Sequence, residues 1–252
     1  MNVFITGASS GIGAALAREF ASRGAHLGLV ARRGEVLDSL IAQLPGSHRR
    51  YAVDVTDRAR LIEAACEFEA ACGGTDLVVA NAGISSGALI EYAQDLPVFE
   101  RILATNVLAA VDTFHPFVAP MRARGSGTLA AIASVAGVRG VPGAGAYCAS
   151  KAALITVCES LRIELRGSGV RVVTIAPGFI DTPMTADNPY PMPFLMPADA
   201  FARRAADAIL LGVSYRVIPW QMAWLARLLR LLPNRAFDRL VYKRARKPRS
   251  MA

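Results

Sequence analysis

Thr6-Gly7-Ala8-Ser9-Ser10-Gly11-Ile12-Gly13 separates a short run, Asn2–Thr6, from an amphipathic stretch that begins at Ile12. Read as strand, loop and helix, it opens a β–α unit. Glycines in such a loop permit a tight turn and let a diphosphate approach the backbone, while the helix N-terminus faces the negative charge. The spacing G-x3-G-x-G differs from G-x-G-x-x-G, but the mechanics are the same. A tight βα turn without a ligand reads the same way in isolation. Its place after the very first strand favours a nucleotide.

Outward from this loop, short β-branched runs alternate with longer amphipathic ones. Strands are predicted at Asn2–Thr6, His26–Ala31, His48–Val53, Asp76–Ala80, Gly127–Ser134 and Val170–Ala176. Helices are predicted near Ile12–Arg23, Glu35–Gln43, Arg58–Cys72, Pro97–Arg122 and Tyr147–Arg166. Runs such as Leu77-Val78-Val79-Ala80 are apolar throughout, which implies burial on both faces and therefore a parallel sheet covered by helices. Tyr215-Arg216-Val217-Ile218-Pro219 reads as a seventh, edge strand. The fold class is α/β: a Rossmann-type, doubly wound, mostly parallel seven-stranded sheet with helices on both faces and a C-terminal helical extension. Residues 1–218 form one nucleotide-binding domain in this reading, and residues 219–252 a basic amphipathic extension.

The net charge of +8 is unevenly spread. Residues 1–200 carry 16 Arg/Lys against 18 Asp/Glu, a net of −2; residues 201–252 carry 12 against Asp207 and Asp238, a net of +10. A chain that is 53% hydrophobic and 19% charged is not disordered. Cys66, Cys72, Cys148 and Cys158 have neither CxxC spacing nor His partners, so no metal site and no disulfide framework is expected. With no charged n-region or cleavage site, and no run of about 18 uncharged apolar residues, the expectation is a cytoplasmic protein.

The second strand chooses the nucleotide. It runs into Ala31-Arg32-Arg33 without the carboxylate that commonly holds a ribose 2′-hydroxyl. Two guanidiniums favour a 2′-phosphate, so NADP(H) is expected in preference to NAD(H). Asp54-Val55 follows the third strand and either receives an adenine amino group or caps the next helix.

Tyr147 and Lys151, one helical turn apart, fall on one face. An ammonium there stabilises a phenolate and draws the tyrosine toward its working range as an acid/base. Ser134 lies at the C-terminal end of the fifth strand, where open α/β sheets hold ligands, and its hydroxyl can steady the same oxygen. Cys148 points about 100° away and reads as packing.

Thr6–Gly13, Asn81-Ala82-Gly83, Asn106, Ser134, Tyr147-x-x-x-Lys151 and Pro177-Gly178 together resemble the short-chain dehydrogenases/reductases, over residues 1 to about 212. The resemblance implies hydride transfer between a nicotinamide and a carbonyl or alcohol carbon. It makes Tyr147 the acid/base, Lys151 its partner and a ribose ligand, Ser134 the group that orients substrate, and Asn106 the holder of a relay water. Gly7, Ser9, Ser10, Gly11, Ile12 and Gly13 would hold the diphosphate. Asn81, Ala82 and Gly83 would wall the adenosine ribose, and Pro177, Gly178, Ile180 and Thr182 would face the carboxamide. A homodimer or tetramer through the helices Pro97–Arg122 and Tyr147–Arg166 is also implied. A non-catalytic NADP(H)-binding sensor or scaffold of the same fold is the alternative; it would normally lack Tyr147 or Lys151.

Between Thr182 and Pro197 lie Met184, Tyr190, Met192, Phe194, Leu195 and Met196 among prolines; the resemblance implies that this stretch covers the substrate as a lid, and its apolar side chains suit a hydrophobic carbonyl compound or else pack on the body. The extension, Trp220–Leu232 and then Phe237 to Arg249, has three readings. It packs over the cleft or a subunit interface, it lies on an anionic membrane surface at the inner face of a membrane, or its end is solvated. Nucleic acid is not an expected partner, because the arginines alternate with leucines and no reading motif is present.

Overall fold

The computed structural model describes residues 1–243 and 245–249; Arg244 of the basic run and residues 250–252 lie outside the described residues. The strands β1 (Asn2–Thr6), β2 (His26–Ala31), β3 (Arg49–Ala52), β4 (Leu77–Ala80), β5 (Gly127–Ile132) and β6 (Val170–Pro177) join a later one, β9 (Tyr215–Ile218). They form one all-parallel sheet in the order β3-β2-β1-β4-β5-β6-β9. The order reverses between β1 and β4, and such switch points open a crevice at the carboxyl ends of the strands. Residues 6–13 and 81–83 leave the sheet there.

Strand alternation builds two apolar layers. Val3 and Ile5 pack with Leu16 and Phe20 of α1 (Gly11–Ser22) and Phe201 of α7 (Ala198–Leu210) on one face. Phe4 faces the other way, with its ring centroid 5.5 Å from Phe68 and 5.2 Å from Phe117. These rings sit on α3 (Arg58–Cys72) and α5 (Ala109–Arg124). Removing a side chain buried this deeply, as in Phe4→Ala, costs about 3–5 kcal/mol.

The stretch read as one helix, Pro97–Arg122, is α4 (Leu96–Leu103), a π-helical turn at residues 104–108, and α5. The run Ala93–Arg124 is long and apolar enough by composition to cross a membrane. Here Ile102, Phe114, Phe117 and Met121 are buried, and α5 packs on α3, β4 and β5, as a core helix does. α2 (Gly34–Ile41) and α6 (Gly145–Glu164) complete the helical layers.

The lid carries a feature that apolar patterning did not predict. β7 (Ile180–Asp181) pairs in parallel with β8 (Met196–Pro197), closing the loop at its base. Met196 is buried there, whereas Met184, Phe194 and Leu195 are exposed.

The extension forms α8 (Trp220–Leu231) and α9 (Asn234–Val241) and lies on the domain. Met222, Ala226, Phe237 and Val241 face inward. Arg139, from the loop after β5, donates to the carbonyls of Leu229 and Leu232, each at 2.6 Å, and stacks over the Phe237 ring at 3.9 Å. The outer face of α8 is a different matter: Trp220 and Trp224 are each 63% exposed and Leu231 82%.

Candidate active site

The glycine loop is held from below by Asn81, whose Nδ2 donates to the carbonyls of Thr6 (3.0 Å) and Gly7 (3.2 Å). Thr6 Oγ1 accepts from the amides of Asn81 and Ala82 at 3.2 and 3.3 Å. Asn81 thus fixes the loop as well as lining the cleft. A Cβ on Gly13 would stand 2.1 Å from the Gly7 carbonyl, so only glycine lets α1 begin this close to the turn. Ser10 precedes α1 without a side-chain cap, and the first turn carries no acidic residue, which leaves that end receptive to an anion.

One cleft of about 410 Å³ is lined by all the residues expected to hold a dinucleotide: Gly7 and Ser9 through Gly13, Arg32 and Arg33, Asp54 and Val55, Asn81 through Gly83, Tyr147, Lys151, Pro177, Gly178, Ile180 and Thr182. Ser134 lines it too. Met184 of the stretch after Thr182 lines it as well; sequence reasoning missed Arg101, Thr105 and Thr185, which carry no motif and reach the cleft only through the fold. The Arg33 guanidinium approaches Ser9 Oγ at 3.4 Å, and the exposed Arg32 stands 3.9 Å from Asp54. Two cations, a hydroxyl and the loop amides therefore share one corner, a donor set that fits a phosphorylated ribose.

Asp54 does not cap α3; Asp57 does, accepting from the Arg60 amide at 3.2 Å. Asp54 instead accepts from the amide and hydroxyl of Thr56 at 2.9 and 2.8 Å. Burial pushes its carboxyl up, but those bonds and Arg32 outweigh burial and hold it below the ordinary range.

Tyr147 and Lys151 rise from α6 on one face, and Ser134 lines the same cleft, near enough to draw the Tyr147 phenol down. Lys151 is buried and donates from Nζ to the Ile132 carbonyl at 2.8 Å, lying 5.9 Å from the Tyr147 ring centroid. Burial pushes the phenol up to about 12, with Ser134 pulling it back, and pushes Lys151 down to about 8. The expected drop in the tyrosine from its ammonium neighbour is not seen in this cleft, because desolvation dominates while Nζ is turned toward a carbonyl.

Asn106 is fully buried in the π-helical turn. Its Oδ1 accepts from the Ile84 amide at 2.8 Å, and its Nδ2 donates to the Ile84 carbonyl at 3.0 Å and to Ser150 Oγ at 2.9 Å. Ser150 in turn donates to the Tyr147 carbonyl at 2.8 Å. The carboxamide is thus committed to protein groups, and what it holds in place is the start of α6. Cys148 is buried, with its thiol raised by burial, as a packing residue.

The sequence profile of the short chain dehydrogenases matches residues 1–191. The chain belongs to that family. Among its relatives, a Myxococcus xanthus protein named only as an oxidoreductase is 41% identical over 240 residues, 93% of each chain. The structure of levodione reductase is 26% identical, with a TM-score of 0.78 over 88% of this chain and 97% of that one. An alcohol dehydrogenase from Thermococcus sibiricus, solved with 5-hydroxy-NADP, is 26% identical, with a TM-score of 0.75 over 86% of this chain and 95% of that one. As a short-chain dehydrogenase, the chain is an oxidoreductase of the alcohol/carbonyl class that uses a nicotinamide cofactor.

Proposed function

We propose that the chain is an NADP(H)-dependent enzyme that reduces, or in reverse forms, the carbonyl group of an apolar substrate, with Tyr147 as general acid/base. The observation that carries this reading is the convergence of Ser134, Tyr147 and Lys151 on the cleft that also holds the glycine loop and Arg32–Arg33. When bound, the nicotinamide supplies or accepts the hydride.

The residues of this chain handle the proton. Tyr147 donates to the carbonyl oxygen, Ser134 donates a hydrogen bond to the same oxygen, and the Lys151 ammonium steadies the phenolate that remains. Asn106 keeps Tyr147 in register through Ser150. Arg32 and Arg33 take the 2′-phosphate, a preference supported by the 5-hydroxy-NADP complex of the Thermococcus enzyme. Tyr190, its ring 6.4 Å from Phe179, belongs to the apolar stretch that this reading assigns to the substrate. An intact catalytic set argues against a nucleotide sensor without turnover. The test is deuteride transfer from 4-deuterated NADPH and NADH to a panel of hydrophobic ketones and aldehydes, read by mass spectrometry. Labelled alcohol formed faster with NADPH is the expected result; label from NADH at the greater rate contradicts the cofactor preference.

Two associations belong to the same proposal. Leu108 and Val111, exposed on the α4–α5 run, and Ile163 on α6 offer apolar faces for a homodimer or tetramer. Sedimentation of Leu108→Arg should show its loss. The outer stripe of α8, with Arg227 stacked on Trp224 at 5.4 Å, suits an anionic membrane surface. Flotation with phosphatidylglycerol vesicles tests that, and equal flotation of Trp220→Ser/Trp224→Ser would contradict it.

A further inference from the structure

The loops that leave the carboxyl ends of β4, β5 and β6 border the space in front of Ser134 and Tyr147. Residues 245–249 touch all three. On the loop after β4, Gly87 donates its amide to the Pro248 carbonyl at 3.0 Å. Arg249 grips Asp95 in bidentate fashion, Nε to Oδ2 at 2.7 Å and Nη2 to Oδ1 at 3.0 Å, and lies 4.0 Å over the Tyr92 ring. On the loop after β5, the stem of Arg246 covers Gly143, four residues ahead of Tyr147. On the loop after β6, Lys247 Nζ donates to the Met184 carbonyl at 3.1 Å, and Met184 lines the cleft.

Two features mark this as a built contact. Asp95 is only 3% exposed, and its Oδ2 also accepts from the Leu89 amide at 2.9 Å. A buried carboxylate needs its cation, and this one comes from 154 residues away. At Gly87, an added Cβ would stand 2.2 Å from the Lys247 carbonyl, so the two backbones meet without room for a side chain.

We propose that residues 245–249 form the outer wall of the substrate chamber, latched by Arg249 on Asp95, and that this wall sets by size which carbonyl compounds reach Tyr147. The inference rests on the reading of the site as a carbonyl-reducing one. It differs from that reading in what it requires: the wall determines ligand fit even where no turnover is measured. Lys247 is half-buried at the rim, where burial lowers it, with Asp187 opposing. The strap's contacts lie on the substrate side and leave the glycine loop clear.

The test uses the full chain and three variants, Arg249→Ala, Gly87→Ala and Arg249→Lys. Hydrogen exchange reports the amide at position 87. Calorimetry reports the affinity of NADP+, and then of acetone and of benzil for the NADP+-loaded protein. Arg249→Ala and Gly87→Ala, which open the strap by unrelated means, should each speed that amide's exchange at least tenfold. Each should also raise affinity for benzil relative to acetone at least fivefold, with NADP+ affinity within twofold of wild type. Arg249→Lys should stay within threefold of wild type in both readings. Unchanged exchange in both opening variants overturns the latch. Faster exchange with an unchanged benzil-to-acetone ratio, or no ketone binding in any variant, overturns the wall. A wild type that binds both ketones selectively but transfers no hydride refutes the carbonyl-reducing reading and leaves the wall standing.

Discussion

Lys151 lies 5.9 Å from the centroid of the Tyr147 ring, yet gives its hydrogen bond to the Ile132 carbonyl 2.8 Å away. Desolvation is therefore the leading influence on both groups in the cofactor-free cleft. It holds Lys151 at about 8 instead of 10.5, and Tyr147 at about 12 instead of 10.0. Between pH 8 and 10.5 the unfolded chain binds the lysine proton that the folded chain has released, so stability rises with pH. Between pH 10 and 12 the folded chain keeps the tyrosine proton that the unfolded chain loses, so stability falls. The raised thiol of Cys158, at about 11 instead of 9.0, opposes the lysine above pH 9, so the contribution of Lys151 is read as a difference. The melting temperature of the cofactor-free wild type minus that of Lys151→Met should climb from pH 8 to about 10, by roughly 5 °C. Calorimetry of both proteins across the range checks this, and a difference that falls from pH 8 upward would contradict this account.

Asn106 joins Ile84 to Ser150, and Ser150 carries the hold on to the Tyr147 carbonyl. Asn106→Ala strands the Ile84 amide and carbonyl in a half-buried turn, at a cost of about 1–2 kcal/mol. It should also lower kcat more than it raises KM, since Tyr147 loses its register while the lid is untouched. Denaturant melts and steady-state kinetics separate the two effects.

Arg32 is 73% exposed and only loosely held by Asp54, so it is free to meet a phosphate. Arg32→Asp should weaken NADPH binding at least tenfold, with NADH affinity unchanged or improved. The loss should shrink as salt is added to the wild type. Fluorescence titration of both dinucleotides provides the measurement.

Arg139 bonds to the last carbonyls of α8 and stacks on Phe237 of α9. Arg139→Ala removes charge-assisted bonds worth about 1.5–3 kcal/mol. Amide exchange over residues 228–241 should then accelerate while β1–β6 remain protected.

The sheet was legible because its signals are local and periodic. Leu77–Ala80 is apolar throughout and β4 is buried throughout, and the turn Thr6–Gly13 could serve few purposes after a first strand. The site was legible in part, because Ser134, Tyr147 and Lys151 have fixed offsets that the topology brings together. What escaped were contacts that depend on distant chain: Arg139 with Leu232, Arg249 with Asp95, and the pairing of Ile180 with Met196. None has a sequence period, and Asp95 in isolation reads as a helix start. The upward direction of the Tyr147 shift in the cofactor-free cleft was not legible either, since helical spacing places an ammonium nearby but does not say where Nζ points.

The central claim is that Tyr147 moves the proton while a nicotinamide moves the hydride. Single-turnover mixing of NADPH-loaded wild type and Tyr147→Phe with a ketone that the wild type reduces tests it directly, with NADPH affinity measured alongside. The account predicts that Tyr147→Phe binds NADPH within threefold of wild type and oxidises it at least a thousandfold more slowly, about 4 kcal/mol in barrier height. NADPH oxidation by Tyr147→Phe at a rate near that of wild type would contradict it.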